Sequence, residues 1–168
     1  GVNRTNNKED FNLINFNLKK TIFNQIKKLN KNIPFIFLSS IHSDLKTEYG
    51  ISKKNAELFL EQHSSIKNPV KIYKLQNVFG KWCKPNYNSV VATFCYNIAN
   101  KLPIKIENEN KELSLIYIDD VIEDITNSLN KDFKIFEKLL ILPEYKITIR
   151  DLAKKILSSE EISNNLNV

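Results

Sequence analysis

Residues 33–53 carry the main signal for the fold and read Ile-Pro-Phe-Ile-Phe-Leu-Ser-Ser-Ile-His-Ser-Asp-Leu-Lys-Thr-Glu-Tyr-Gly-Ile-Ser-Lys. The apolar run at 35–38 predicts a strand that is buried on both faces. Two hydroxyl side chains, Ser39 and Ser40, end this run, and a helical pattern begins near Tyr49. In an open α/β sheet, ligands bind beyond the carboxyl ends of the strands, which is where Ser40 would lie. The stretch therefore predicts a strand, a turn and a helix around a ligand site.

Tyr49 and Lys53 are four residues apart, which places them on one face of a helix. Reduction of a ketone puts negative charge on its oxygen, and a phenol can neutralise that charge by donating a proton. We expect a cation one turn away to lower the pKa of the phenol, and a serine hydroxyl to orient the carbonyl. The pattern thus favours Tyr49 as the acid, Lys53 as its electrostatic partner and Ser40 as the orienting group. The same spacing also fits a surface helix with a solvated lysine and a tyrosine packed on the sheet.

The composition is that of a globular protein: 168 residues, 42% hydrophobic and 10% aromatic. No apolar run has the length of a membrane span and no signal peptide is visible, so we expect no membrane contact and a cytoplasmic location. The two cysteines, Cys83 and Cys95, and the two histidines lack the spacing of metal ligands, which predicts no metal site.

The net charge of +6 has two interpretations. The lysines are spread along the chain and no arginine cluster appears, which favours a solvated basic surface over nucleic-acid binding. The mild positive field would also suit a substrate that carries a diphosphate. A non-enzymatic basic domain that binds nucleic acid or a protein is the alternative. It would show tight, strongly salt-dependent binding of DNA or RNA.

Alternating helical and strand patterns run along the rest of the chain and predict an α/β fold with parallel strands. Asp119 is expected to cap one of the helices, and Thr148 to open a capping box for the last one. The polar tail from Ser158 to Val168 is expected to fray. The predicted helices span residues 11–29, 49–63, 89–101, 120–129 and 148–157, and the further strands span residues 70–75, 104–106, 113–118 and 139–142.

Several motifs, in their order and spacing, resemble the extended short-chain dehydrogenases/reductases, which are NAD(P)-dependent epimerases, dehydratases and reductases of nucleotide sugars. Within this family the chain resembles the reductase part of the enzymes that make the N-acetyl-L-fucosamine precursor of capsular polysaccharide. The motifs are Gly-Val-Asn-Arg at 1–4, the strand with Ser-Ser at 35–40, Tyr-Gly-Ile-Ser-Lys-Lys-Asn-Ala-Glu at 49–57, Asn-Val-Phe-Gly at 77–80, Gly-Lys-Trp-Cys-Lys-Pro-Asn-Tyr-Asn-Ser-Val at 80–90, Tyr-Ile-Asp-Asp-Val at 117–121 and Tyr-Lys-Ile-Thr-Ile at 145–149.

The resemblance implies a Rossmann-like parallel sheet with flanking helices. It also implies NAD(P)H-dependent reduction of a UDP-linked 4-keto-6-deoxy-N-acetylhexosamine, with NADPH or NADH as cofactor and a homodimer for full-length relatives. A nucleotide-sugar epimerase or dehydratase is the alternative within the family. Relatives often carry Asn and Thr at the positions of Asn17 and Thr21. In this chain the two residues have either a catalytic role or the role of a polar pair at the edge between the helix and the sheet. The residues implied are Ser40, Tyr49 and Lys53 for catalysis, Gly1, Tyr49, Lys53, Leu75 and Gln76 for the cofactor, and Asn77, Trp82 and Asn88 for the substrate.

Glycine is scarce in this chain, with Gly1, Gly50 and Gly80 as its three examples. A dinucleotide fold begins with a glycine-rich turn that lets the backbone approach the pyrophosphate. Against the family pattern, residues 1–168 therefore look like an internal part of a larger domain, without the first βαβ unit and without the cupin domain that follows in the capsular enzymes. We expect this chain alone to bind the cofactor weakly and to be inactive. Relatives also carry Pro at the place of Gln76 and Arg near the place of Leu113, which weakens the analogy there.

Overall fold

The computed structural model describes the backbone of residues 1–166 and the side chains of residues 1–159. The chain forms two compact units. The first consists of Gly1–Leu75 and Asp124–Ile141, and the second consists of Gln76–Glu123 and the segment that starts at Leu142. That both are parts of one dehydrogenase/reductase domain stays a prediction.

A parallel three-stranded sheet forms the centre of the first unit. Its strands are β1 (Phe35–Ser40), β2 (Val70–Leu75) and β5 (Phe136–Leu139), in the order β1-β2-β5. The parallel strands predicted at 35–38 and 70–75 and the Rossmann-like class are confirmed. The helical elements are α1 (Glu9–Asn12), a π-helical segment (Leu13–Asn17), α2 (Leu18–Lys28), a 3₁₀ turn (Ile41–Asp44) and α3 (Glu48–His63). A further helix, α5 (Ile118–Leu129), begins in the second unit, and its part from Asp124 onward belongs to the first unit and leads into β5.

The core of the first unit lies between this sheet and the helices. Phe37 of β1 packs in one cluster with Phe23 of α2 and Phe59 of α3. Successive strand residues point to opposite faces, so the next residue, Leu38, points away from this cluster. Its side chain is 42% exposed, and the prediction that the strand is buried on both faces is therefore wrong. The strand also lies at the edge of the sheet.

The second unit contains a mixed sheet of β3 (Asn77–Phe79), β4 (Glu112–Tyr117) and β6 (Tyr145–Thr148). β3 and β4 are parallel, whereas β4 and β6 are antiparallel. Helices α4 (Val90–Ala99) and α6 (Ile149–Leu166) contribute a second apolar cluster. Its fully buried members are Phe94, Ile98, Leu152 and Ala153.

Two predicted strands differ from the structure. Residues 104–106 are not a strand: Pro103 precedes them, and Ile104 instead packs against the cluster around Phe94. The strand predicted at 139–142 lies earlier in the chain, as β5. The antiparallel strand β6 was not predicted, because short alternation near a turn gives little sequence signal.

Helix boundaries account for the other differences. α5 begins at Ile118, directly after β4, so Asp119 lies in its first turn and is not its cap. The Asp119 carboxylate instead accepts a hydrogen bond from Lys81 Nζ at 2.7 Å. The capping role of Thr148 is confirmed, because its hydroxyl accepts from the backbone N–H of Asp151 at 3.1 Å. α6 extends to Leu166, so the predicted end of the last helix at Leu157 is wrong. The fraying of the tail stays a prediction, and residues 167–168 lie outside the described residues.

Candidate active site

The end of β1 and the start of α3 are joined by side-chain hydrogen bonds. Ser40 Oγ accepts from the backbone N–H of His42 at 3.1 Å, which starts the 3₁₀ turn. Thr47 Oγ1 accepts from the N–H of Gly50 at 3.0 Å and caps α3. Tyr49 therefore lies in the first turn of α3, where its phenol is near the Ser40 hydroxyl.

Gly50 allows the first turn of α3 to lie directly on the preceding backbone. A Cβ at this position would be 2.3 Å from the carbonyl oxygen of Leu45 and 2.5 Å from that of His42. Backbone oxygens at such distances cannot yield, so a side chain here would push the helix away. The absence of a side chain thus sets the distance between Tyr49 and the strand end.

Lys53 follows one turn after Tyr49 and is 7% exposed. Its Nζ donates to the carbonyl oxygen of Leu38 at 3.0 Å. It lies 5.9 Å from the centroid of the Tyr49 ring and 5.2 Å from that of Phe37. An ammonium has three N–H donors, and the Leu38 carbonyl takes one of them.

Burial dominates the acid–base properties of both side chains. It lowers the pKa of Lys53 from 10.5 to about 8, with a contribution from the positive charge of Lys19. Burial raises the pKa of the Tyr49 phenol, and the hydrogen bond with Ser40 opposes this effect. The expectation of a lowered pKa for Tyr49 is therefore wrong, because desolvation of the phenol dominates.

Asn15 is a buried residue of this region that the sequence analysis missed. It is fully buried and binds both backbone groups of Val2, with Oδ1 accepting from Val2 N at 2.8 Å and Nδ2 donating to Val2 O at 2.9 Å. Its Nδ2 also donates to Ser52 Oγ on α3 at 3.2 Å. The sequence pattern pointed instead to Asn17 and Thr21, which are exposed. The π-helical segment changes which side chains face inward, and regular periodicity cannot reveal this.

The first unit brings together most of the predicted catalytic and cofactor residues. Leu75 is the register partner of Ser40 in the sheet. Gly1 lies beside Asn15 and Lys53, since a Cβ on it would be 2.6 Å from Asn15 Oδ1 and 3.4 Å from Lys53 Nζ.

The other predicted site residues belong to the second unit. Gln76 is buried, and Asn77 Nδ2 donates to the carbonyl oxygen of Ser114 at 2.9 Å, which joins β3 to β4. Trp82 is 99% exposed and has a φ of 64°, a strained conformation for this residue type. Asn88 is exposed in the same loop. Their contacts with a substrate stay predictions.

Among the described residues, no group of three or more His, Cys, Asp or Glu residues is arranged to hold a metal ion. Within the same residues, no helix combines the length and apolarity needed to cross a membrane.

Known proteins share both sequence and fold with this chain, although no family model matches it. It is 39% identical over 157 residues to the UDP-2-acetamido-2,6-beta-L-arabino-hexul-4-ose reductase of Pseudomonas aeruginosa, covering 93% of this chain and 42% of the reductase. The capsular polysaccharide assembling protein CapF of Staphylococcus aureus superposes with a TM-score of 0.71 at 28% identity, over 89% of this chain and 46% of CapF. The chain thus spans less than half the length of both relatives.

A more distant structure shares the fold. UDP-glucuronic acid 4-epimerase from Bacillus cereus, solved in complex with NAD, superposes with a TM-score of 0.80 at 18% identity, over 97% of this chain and 57% of the epimerase. At this identity the likeness concerns the fold alone. The chain is thus similar, over nearly all of its length, to a part of a UDP-keto-sugar reductase, and its fold is Rossmann-like.

Proposed function

We propose that these residues form the carbonyl-reducing centre of a nicotinamide-dependent reductase that acts on a UDP-linked 4-keto-6-deoxy amino sugar. The observation that carries the proposal is the buried Lys53, whose Nζ donates to the Leu38 carbonyl near the end of β1 at 3.0 Å and lies 5.9 Å from the centroid of the Tyr49 ring. The name of the Pseudomonas aeruginosa relative describes a reductase of a UDP-linked keto sugar. Because the chain spans 42% of that relative, the proposal concerns the part of the reaction that these residues can perform.

Tyr49 is the proposed proton donor. Burial raises the pKa of its phenol, which therefore stays protonated near neutral pH and has a proton to donate. During reduction the carbonyl oxygen becomes an alkoxide, a much stronger base than a phenolate, so the transfer from Tyr49 is downhill. The Ser40 hydroxyl, which lies near this phenol, orients the same carbonyl oxygen.

Lys53 has two proposed tasks. Its ammonium stabilises the phenolate that Tyr49 becomes once the proton has been donated. With a pKa of about 8, the ammonium is largely protonated near neutral pH. The N–H donors not used by the Leu38 carbonyl suit the ribose hydroxyls of a nicotinamide cofactor.

The donor set of Tyr49 and Lys53, with Leu75 in register beside Ser40, fits the nicotinamide-ribose end of NADH or NADPH. When bound, such a cofactor supplies the hydride. Gly1 and Gln76 are proposed as further cofactor contacts. Asn77, Trp82 and Asn88 are the proposed contacts for the UDP-sugar, and self-association of the whole protein as a homodimer stays a prediction.

A Tyr49→Phe substitution tests the proposal in a version that spans the full length of the relatives. It removes the proton donor alone, so turnover should fall by about 10²–10⁴-fold with little change in KM. The assay follows NADPH or NADH absorbance with the UDP-keto sugar as substrate. Tyr96→Phe, at an exposed tyrosine on α4, is the matched control and should keep full activity.

Two results would contradict parts of the proposal. Unchanged turnover in the Tyr49→Phe variant would remove Tyr49 from the reaction. Turnover of the sugar without net consumption of the reduced cofactor would instead favour an epimerase or dehydratase, because those enzymes regenerate their cofactor in each cycle.

A further inference from the structure

Glu57 is a charged side chain in the core that the proposed mechanism does not use. It lies on α3, one turn after Lys53 and two turns after Tyr49, and it is fully buried. A buried carboxylate strongly destabilises a fold when its partner is removed, because the charge is left without compensation. The partners of Glu57 therefore indicate what it does.

The Glu57 carboxylate contacts the two outer strands of the parallel sheet. Oε1 accepts a hydrogen bond from Ser39 Oγ on β1 at 2.5 Å. Oε2 lies 3.2 Å from Lys138 Nζ on β5, in an ion pair. Since β2 lies between these strands, one side chain of α3 connects the helix to both edges of the sheet.

Ser39 is the residue directly before Ser40, so the hydrogen bond between Glu57 and Ser39 lies next to the candidate site. We propose that Glu57 is a positioning residue: it holds the end of β1 against α3, so that Ser40 stays within hydrogen-bond reach of Tyr49 and the Leu38 carbonyl stays on Lys53. This inference rests on the proposed roles of those site residues. A displacement of about 1 Å at such a site can lower the rate by about 10²-fold. The contacts of Glu57 would therefore affect the reaction by holding the site in place.

The charges around Lys53 make the effect of Glu57 measurable as a change in the pKa of Lys53. Lys19 of α2 lies near Lys53 and is cationic, and Tyr49 is a neutral phenol when protonated. Glu57 is the anion of this group and favours the protonated form of Lys53. Removal of its charge leaves the ammonium beside the positive charge of Lys19.

The direct test is a Glu57→Gln variant of the 168-residue chain, with Lys53 titrated by NMR in lysine-labelled protein. Lys53→Arg identifies the Lys53 signal. The pKa of Lys53 should fall below its wild-type value by about one unit, because the neighbouring anion is gone. Glu61→Gln, the same change on an exposed position of α3, is the control and should leave that pKa unchanged. An unchanged Lys53 pKa in Glu57→Gln would overturn the proposal.

Ser39→Ala provides a second test that leaves every charge in place, should Glu57→Gln not fold. The Ser40 hydrogen bond lowers the pKa of Tyr49, so loosening the strand end should raise that pKa further. NMR titration of labelled tyrosine measures it, and an unchanged Tyr49 pKa would overturn the positioning role. Neither readout needs catalysis, so an inactive enzyme would refute the proposed function and leave this test intact.

Discussion

Burial of the Lys53 ammonium is unfavourable for folding, but it gives the candidate site a cation with a lowered pKa. Its ammonium is removed from solvent and lies near Lys19, and both effects favour the neutral amine. The hydrogen bond to the Leu38 carbonyl and the nearby Glu57 oppose them. The result is a group with a pKa of about 8, poised to respond to small changes in charge around it.

Stability should therefore depend on pH through Lys53. The unfolded chain holds this proton up to about 10.5 and the folded chain up to about 8, so between these values the unfolded state binds more protons. The free energy of unfolding should thus rise with pH across this window. Compared with a Lys53→Met variant, the wild type should gain on the order of 3 kcal/mol over the window, from the pKa difference alone.

Urea unfolding of both proteins at a series of pH values measures this difference. Lys54→Met is the control, because the hydrogen bond with Asp44 raises the pKa of Lys54 and no gain is expected in the same window. Parallel stability curves for wild type and Lys53→Met would contradict the prediction.

At the scale of elements, the contact between α3 and the 3₁₀ turn places Tyr49 at the strand end. Thr47 caps the helix, and Gly50 lets its first turn meet the backbone of His42 and Leu45. Helix propensity alone would favour Ala over Gly by about 1 kcal/mol in a helix interior. Packing reverses that preference here, because the added Cβ would meet two backbone oxygens below 3 Å.

Gly50→Ala should consequently destabilise the chain, by about 1–3 kcal/mol as for other overpacked sites. It should also separate the Tyr49 phenol from Ser40, which a tyrosine-labelled NMR titration would report as a further raised pKa of Tyr49. Chemical denaturation gives the stability change. Asn55→Ala, an exposed change on the same helix, should be neutral or slightly stabilising. A Gly50→Ala protein as stable as wild type would show that α3 can shift freely.

At the scale of the whole molecule, the glycines bear on cofactor affinity. Gly50 packs on backbone, and Gly80, with a φ of 135°, packs on Tyr117 and Ile118. Gly1 lies against Asn15. None of the three belongs to a glycine-rich turn that could cradle a pyrophosphate, and such a turn supplies much of the binding in dinucleotide folds.

The 168-residue chain alone should accordingly bind NADPH weakly, through the nicotinamide-ribose end. Calorimetric titration of the purified chain should give no binding in the low micromolar range. Lys53→Met serves as the control, because it removes the proposed ribose donor and should abolish any residual heat. A low micromolar Kd for the wild-type chain would mean that cofactor affinity comes from residues other than a glycine-rich turn.

Local sequence determined the central part of the fold and the spacing of the candidate site. The apolar run before Ser39 and the four-residue spacing of Tyr49 and Lys53 predicted β1 and α3, because strand and helix periodicity follow from neighbouring residues. Only the tertiary structure determined the contacts of Glu57 with Ser39 and Lys138, the burial of Asn15 and the antiparallel pairing of β6. Those features join residues far apart in the chain. The raised pKa of Tyr49 also depends on tertiary packing, since burial arises from the assembled core and no spacing of residue types reports it.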